Sequence, residues 1–319
     1  MEAVGRYRIV RQLGAGAFAT VWLGHDDDLD VPVAIKVLAE NWTQNADVRR
    51  RFVDEARVLR RIQDPRVVVV HDIGSLDDGR PYFVMNYADA GTVAELVAAP
   101  ADRSTALATA VEVGRAVQVL HDHDVLHRDV KPSNLLRHRR RDGTEQLMIA
   151  DLGTAKALAE SSGLTLSAGT PAYMAPEQAH GQRALDVRAD VYGIAAVAYA
   201  LISGRPPFPD VSAVSDVAFR NPARHPDPVD TEGSALDDVL RSALAFDPDE
   251  RPATATQLAE QFGRLRRGDQ DATRLEHRPG ERAAVTTRPD RAVAKLVGLA
   301  VVVMILAAVL TWLILGLFG

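Results

Sequence analysis

Four lysines stand against thirty-three arginines in this chain of 319 residues, so arginine serves wherever a general positive charge is needed. The lysines that remain, Lys36, Lys131, Lys156 and Lys295, call for a reason. An ammonium group is a compact point charge on a flexible stem and suits one phosphate oxygen in a tight site, whereas guanidinium is a broad planar fork. Lys36 ends "PVAIK" behind a glycine loop, and Lys131 lies in "LHRDVKPSN". Both fit phosphate contacts, while Lys295, beside an apolar run, fits a side chain that snorkels toward lipid headgroups. In the loop "GAGAF", Gly14 and Gly16 let the backbone approach a polyphosphate and offer it N–H groups. The same glycines fit the start of a dinucleotide-binding fingerprint, but that fingerprint must open a helix, and "ATVWLG" continues with β-branched and aromatic residues.

These residues need elements to hold them. "YRIVRQLGAGAFATVWLGHDDDLDVPVAIKVL" alternates apolar and polar residues on both sides of the loop, then turns at "HDDDLD" and resumes, which predicts strand, loop, strand, turn, strand. Asp26, Asp28 and Asp30 have half of a calcium-loop spacing, but Val31 and Val37 stand where glycine and glutamate are required, so this is a turn. "NADVRRRFVDEARVLRRI" puts Val48, Phe52, Ala56, Leu59 and Ile62 near helical spacing. Its Glu55 fits an inward-facing residue or a solvated helix charge. "RHRRRDGTEQ", which holds Arg137, Arg139, Arg140 and Arg141, reads as a solvated hairpin turn around Asp-Gly.

An apolar content of 47% is ample for a buried core, and the absence of cysteine excludes disulfides and thiolate metal sites. A net charge of -6, spread along the chain, argues against a nucleic-acid partner. Residues 268–294, polar and proline-punctuated, read as a flexible juxtamembrane linker. From Leu296 onward no residue is charged, and the helix this run would form reaches ~36 Å, enough to cross a ~30 Å hydrocarbon core. A transmembrane helix is therefore expected over 295–318. Arg278, Arg282, Arg288, Arg291 and Lys295 precede it and no basic residue follows, which predicts a single-pass cell-membrane protein with its body cytoplasmic and its C-terminus outside. The opening "MEAVGRYRIV" has no apolar core of a signal peptide, and the run reads as an anchor with no outside domain behind it.

Seven motifs in order then carry a family resemblance: "GAGAFATV", "VAIK" at Lys36, Glu55 in a helix, "HRDVKPSN", "DLG", "GTPAYMAPE" with "DVYG", and "DPDERP". The chain resembles bacterial Hanks-type (eukaryotic-type) serine/threonine protein kinases over about Tyr7 to Leu265. The resemblance implies an α+β bilobal kinase fold at 7–267, with a small β-rich N-lobe carrying one helix at about 7–87 and a larger, mostly helical C-lobe at about 88–267. It implies ATP as co-substrate, Mg2+ with Mn2+ as an alternative ion, and protein serine and threonine hydroxyls as acceptors. Phosphoryl transfer needs positioning and charge neutralisation more than covalent catalysis. By resemblance, Lys36 holds the α- and β-phosphates and pairs with Glu55, Asp129 takes or orients the proton of the attacking hydroxyl, and Lys131 steadies the γ-phosphate. Asp151 and Asn134 form the metal site. Leu13, Gly14, Ala15, Gly16, Ala17 and Phe18 cover the nucleotide. Val21, Ala34 and Leu136 sandwich the adenine, with Met85 at the back of the pocket. Glu177 and Arg251 resemble the pair that ties the activation segment to the large lobe, and Asp190 the carboxylate that braces the catalytic loop.

Three residues depart from the family pattern: Ala19 for the third glycine, Leu152 for phenylalanine and Asn86 for a hinge glutamate. None removes a charged catalytic group. Arg128 before Asp129 resembles kinases whose activation segment is ordered by phosphate, and Thr165, then Ser167, are the candidate acceptors. Thr170 reads as structural. Related kinases dimerise through the N-lobe, which makes a homodimer an expectation here. A nucleotide-binding scaffold without transfer activity and a small-molecule phosphotransferase are the alternative readings. Intact charged residues weigh against the first, and the "APE" segment with Lys131 against the second.

Overall fold

The computed structural model describes residues 2–99, 102–153, 171–180, 185–231 and 233–276. The chain divides into two units, Met1–Asp271 and Ala272–Gly319. Of the second, only the last helical residues, to Glu276, are described. The expected span at 295–318, the rest of the linker, and Thr165, Ser167 and Thr170 lie outside the described residues. Among the described residues no helix is long and apolar enough to cross a membrane.

The first unit begins with a six-stranded antiparallel sheet in the order β1-β2-β3-β4-β6-β5. Its strands are β1 (Ala3–Val4), β2 (Tyr7–Ala15), β3 (Ala19–Asp26), β4 (Val31–Leu38), β5 (Val70–Ser75) and β6 (Pro81–Asn86). The glycine loop joins β2 to β3, with Gly16 N–H donating to the Ala19 carbonyl at 2.8 Å. The turn at Asp26–Asp30 is closed by the buried Asp26 carboxylate, whose Oδ1 accepts from the N–H groups of Asp28 and Leu29 at 3.2 and 3.3 Å. Asp30, at φ 53°, takes the left-handed conformation that aspartate tolerates.

Helix α1 (Ala46–Arg61) packs against β5 and β6. Asn45 caps it by accepting from the N–H groups of Asp47 and Val48. Val48, Phe52, Ala56 and Leu59 are buried on one face, and Glu55 is buried among them. Ile62 is the C-cap rather than a helical residue, and it too is buried.

Beyond β6 the chain is mostly helical: α2 (Val93–Ala98), α3 (Arg103–His121), α4 (Pro176–His180), α5 (Val187–Ser203), α6 (Val214–Ala218), α7 (Ala235–Ala243) and α8 (Ala255–Glu276). A hairpin of β7 (Leu135–Arg139) and β8 (Glu145–Ile149) is set between them. Its turn holds Asp142 and Gly143, and Gly143 adopts φ 81°. Helix α5 is apolar on nearly every face and is buried from Ala189 to Leu201, as befits the central helix of a core. Helix α8 continues past Gly268, into the segment read as linker. Asp269 ion-pairs with Arg103 at 2.9 Å and Gln270 donates to Ser104 at 3.4 Å, so contacts with α3 extend a helix that apolar periodicity does not signal.

Candidate active site

The residues singled out from the sequence converge on one cleft of about 580 Å³. Leu13 to Phe18, Val21, Ala34, Lys36, Glu55, Met85, Asp129, Lys131, Asn134, Leu136 and Asp151 all line it. Strand pairing explains the upper wall, since Val21 faces Lys36 across β3 and β4, and Ala34 faces Met85 across β4 and β6. Leu136 comes from the β7–β8 hairpin, where it pairs with Met148.

Lys36 is the electrostatic centre of the cleft. Its Nζ lies 2.8 Å from Glu55 Oε1 and 3.0 Å from Asp151 Oδ1. The rings of Phe83 and Phe52 stand 5.4 and 5.8 Å from the same nitrogen. Burial alone would lower the pKa of this ammonium, but the carboxylates of Asp151 and Glu55 outweigh it and raise the group above its ordinary value. The inward reading of Glu55 is thus the one the fold adopts: α1 is docked and its carboxylate is paired.

A second cluster surrounds Asp129. Its Oδ2 accepts from Lys131 Nζ at 2.6 Å and from Asn134 Nδ2 at 3.1 Å. Asn134 Nδ2 also donates to the Asp129 carbonyl at 2.9 Å, which leaves the amide oxygen as the atom available to a cation. The carboxylate of Asp151 is the other hard donor on this side of the cleft, and a pair of oxygens completed by phosphate oxygens and water suits magnesium. The residues present therefore fit such an ion.

The catalytic loop is braced from below. Asp190 of α5 accepts from His127 N–H at 2.8 Å, Arg128 N–H at 2.7 Å and His121 Nε2 at 2.8 Å. These bonds support Arg128 at φ 66°, a left-handed conformation that costs a non-glycine residue about 1–3 kcal/mol. His127 is fully buried, and its Nδ1 accepts from the Asp129 N–H, so the ring proton sits on Nε2 and is donated to the Ala150 carbonyl. Gly153 donates to the His127 carbonyl at 2.9 Å, and a Cβ there would come within 3.2 Å of Asp129 Cβ. Leu152 is buried in the same apolar cluster as Phe52 and Leu59 of α1.

Other contacts were not anticipated. Asn86 Oδ1 accepts from Val69 N–H at 2.8 Å and its Nδ2 donates to Met148 Sδ at 3.0 Å, so the departure at the hinge ties β6 to the β7–β8 hairpin. Thr92, Glu95 and Ser133 also line the cleft. Glu95 Oε1 accepts from the Thr92 N–H at 3.2 Å at the start of α2, one half of a capping box that the "TVAE" spacing signals. Gln178 Nε2 donates to the Arg128 carbonyl at 2.7 Å, a contact that nothing local in "APEQ" announces. Arg251 grips Glu177 with both terminal nitrogens, at 2.7 and 2.9 Å.

A fold of this kind, with its lysine, two aspartates and asparagine around one cleft, is that of a protein kinase domain. The protein kinase domain family matches residues 7–262. The chain is 37% identical over 263 residues to the serine/threonine-protein kinase PknJ of Mycobacterium tuberculosis, covering 79% of this chain and 44% of that protein. To PknB of Mycobacterium leprae it is 33% identical over 298 residues, covering 90% and 46%. The crystal structure of the PknI kinase domain of Mycobacterium tuberculosis is similar with a TM-score of 0.65 at 29% identity, covering 83% of this chain and 98% of that one. The chain belongs to the protein kinase family, in its bacterial Hanks-type serine/threonine branch. It spans less than half the length of the curated relatives it matches.

Proposed function

We propose that this chain transfers the γ-phosphoryl group of ATP to serine and threonine hydroxyls of proteins, itself included. The observation that carries this reading is the simultaneous assembly of the Lys36–Glu55–Asp151 and Asp129–Lys131–Asn134 clusters in one cleft. Lys36 would bind the α- and β-phosphates with a charge that Glu55 holds in place. Asp129 would orient the acceptor hydroxyl and take its proton on the carboxylate, and Lys131, two residues on, would neutralise charge on the transferred group. Asp151 and Asn134 would hold magnesium, which would supply charge neutralisation for the phosphates. Met85, Ala34, Val21 and Leu136 give the apolar slot that suits adenine.

A scaffold that binds nucleotide without transfer is the alternative, and the complete charged set weighs against it. The test is incubation of the purified chain with labelled ATP and Mg2+ beside Asp129→Asn. Label should enter protein at serine and threonine and fall by roughly 10²–10⁴-fold in the variant. Nucleotide binding with no Asp129-dependent labelling would favour the scaffold.

Further parts of the reading rest on sequence. Thr165, with Ser167 second, is the proposed autophosphorylation site. Residues 295–318 are proposed as a membrane anchor with the kinase body cytoplasmic, supported by the uncharged run and the arginines before it. An N-lobe homodimer is supported by Leu29 and Val31, both exposed at the β3–β4 turn.

A further inference from the structure

The tip of the glycine loop is gripped from outside the cleft. Phe18 stacks on Trp42, with ring centroids 5.2 Å apart and planes inclined by 18°. The indole Nε1–H of Trp42 donates to the carbonyl of Ala17 at 2.7 Å. Ala39 N–H donates to the Phe18 carbonyl at 2.8 Å and closes the same corner. Trp42 is buried, lies between β4 with its Lys36 and the Asn45 cap of α1 with its Glu55, and stands outside the cleft that Ala17 and Phe18 line.

A trans peptide is planar and carries its C=O and N–H on opposite edges. Holding the Ala17 carbonyl toward Trp42 therefore turns the N–H of Phe18 away from Trp42, to the side where these two residues line the cleft. Gly14 and Gly16 give the loop wide conformational freedom, so a defined N–H direction at its tip needs an outside hold.

We propose that Trp42 is a positioning residue for nucleotide binding: a latch that keeps the glycine-loop tip in the conformation offering its N–H to the polyphosphate. It thereby sets how fast nucleotide leaves. The proposal rests on the reading of the cleft as an ATP site. Pre-ordering a loop removes an ordering cost from binding, and such gains appear mainly in the dissociation rate. Trp42 lies outside the cleft and touches no reacting atom, so Trp42→Phe should raise KM for ATP while leaving kcat near the wild-type value.

Three variants of the whole chain separate its parts. Trp42→Phe keeps a ring and removes the N–H, Phe18→Leu removes the stack from the loop side without disturbing buried Trp42, and Trp42→Leu removes both. Dissociation of an N-methylanthraniloyl-ADP probe is followed by stopped flow against excess ADP, with a thermal melt of each variant. Phe18→Leu should speed release by about tenfold, Trp42→Phe by about fivefold, and Trp42→Leu, which loses both contacts, by about fiftyfold. The double variant Phe18→Leu/Trp42→Leu should fall short of the product of the two single effects, because the shared stack cannot be lost twice. Wild-type release rates in Trp42→Phe and Phe18→Leu, which decide the matter even if Trp42→Leu does not fold, overturn the latch alone. Failure of the wild-type chain to bind the probe overturns the nucleotide-site reading, and the latch with it.

Discussion

Gln178 donates its side-chain N–H to the backbone carbonyl of Arg128 at 2.7 Å, while its Oε1 accepts from the Ala175 N–H at 3.1 Å. The N–H of Arg128 is held in turn by Asp190. The left-handed residue directly before Asp129 is therefore clamped on one side by the central helix α5 and on the other by α4, the helix that ends the "APE" segment. These contacts link α4 to the backbone that carries Asp129, the proposed base.

Gln178→Ala should accordingly lower kcat for peptide phosphorylation by about fivefold, the worth of one neutral hydrogen bond, with KM for ATP unchanged. Gln178→Glu should lower it further, because a carboxylate would face the Arg128 carbonyl. Steady-state kinetics on one peptide checks both; a Glu variant as active as wild type would show that the clamp does not reach Asp129.

The pH behaviour of Lys36 follows from its two carboxylate neighbours. Its pKa is raised above the ordinary 10.5, so the stabilising charge is fully present below that value and is lost only as pH rises through the still higher folded value. Plots of log(kcat/KM) for ATP should show no break from Lys36 up to about pH 10. Lys36→Arg, which keeps its charge throughout, should give the same alkaline shape at a lower rate. A wild-type break near pH 9 absent from Lys36→Arg would contradict this.

How much of this was legible depended on whether the partner was local. The glycine loop, the catalytic loop and the Asp142–Gly143 turn are short patterns whose chemistry is contained in adjacent residues. Glu55 was ambiguous because helical spacing assigns a face but cannot say that Lys36, on a strand nineteen positions earlier, waits opposite it. Trp42 belongs to no periodic pattern, and its partner at Ala17 lies 25 positions away. The continuation of α8 beyond Gly268 was hidden for the same reason: Arg103 and Ser104, which engage Asp269 and Gln270, belong to a helix far earlier in the chain.

Asn86 shows what a departure from a family pattern can install. Its amide orientation is set by the Val69 N–H, which must meet an oxygen, and so its nitrogen faces Met148. Asn86→Ala should cost about 1–2 kcal/mol in urea denaturation, chiefly through the unsatisfied Val69 N–H. Asn86→Asp keeps that acceptor but loses the donor to Met148, and should fall between Ala and wild type. Equal stability of Asn86→Ala and wild type would remove the hinge tie.

Arg251 offers the sharpest test of a structural ion pair. Its side chain is wholly buried, and each N–H has an acceptor: Nε the Ala245 carbonyl, Nη1 Glu177 and the Arg188 carbonyl, Nη2 Glu177 and the Phe246 carbonyl. The guanidinium also lies 5.0 Å from the Tyr192 ring centroid. Lysine has three donors on a point charge and cannot serve five positions in one plane. Arg251→Lys should therefore behave more like a deletion than a conservative change, costing about 3–5 kcal/mol because Glu177 and several carbonyls lose their partners inside the protein. For a domain of this size that lowers the melting temperature by roughly 6–20 °C. Arg251→Met with Glu177→Leu removes both charges together, and should recover part of the loss, since replacing a buried pair is cheaper than orphaning one member. Calorimetry of the two variants decides the point: a double variant less stable than Arg251→Lys would mean that the pair itself, rather than the avoidance of an orphaned charge, holds α4 to the core.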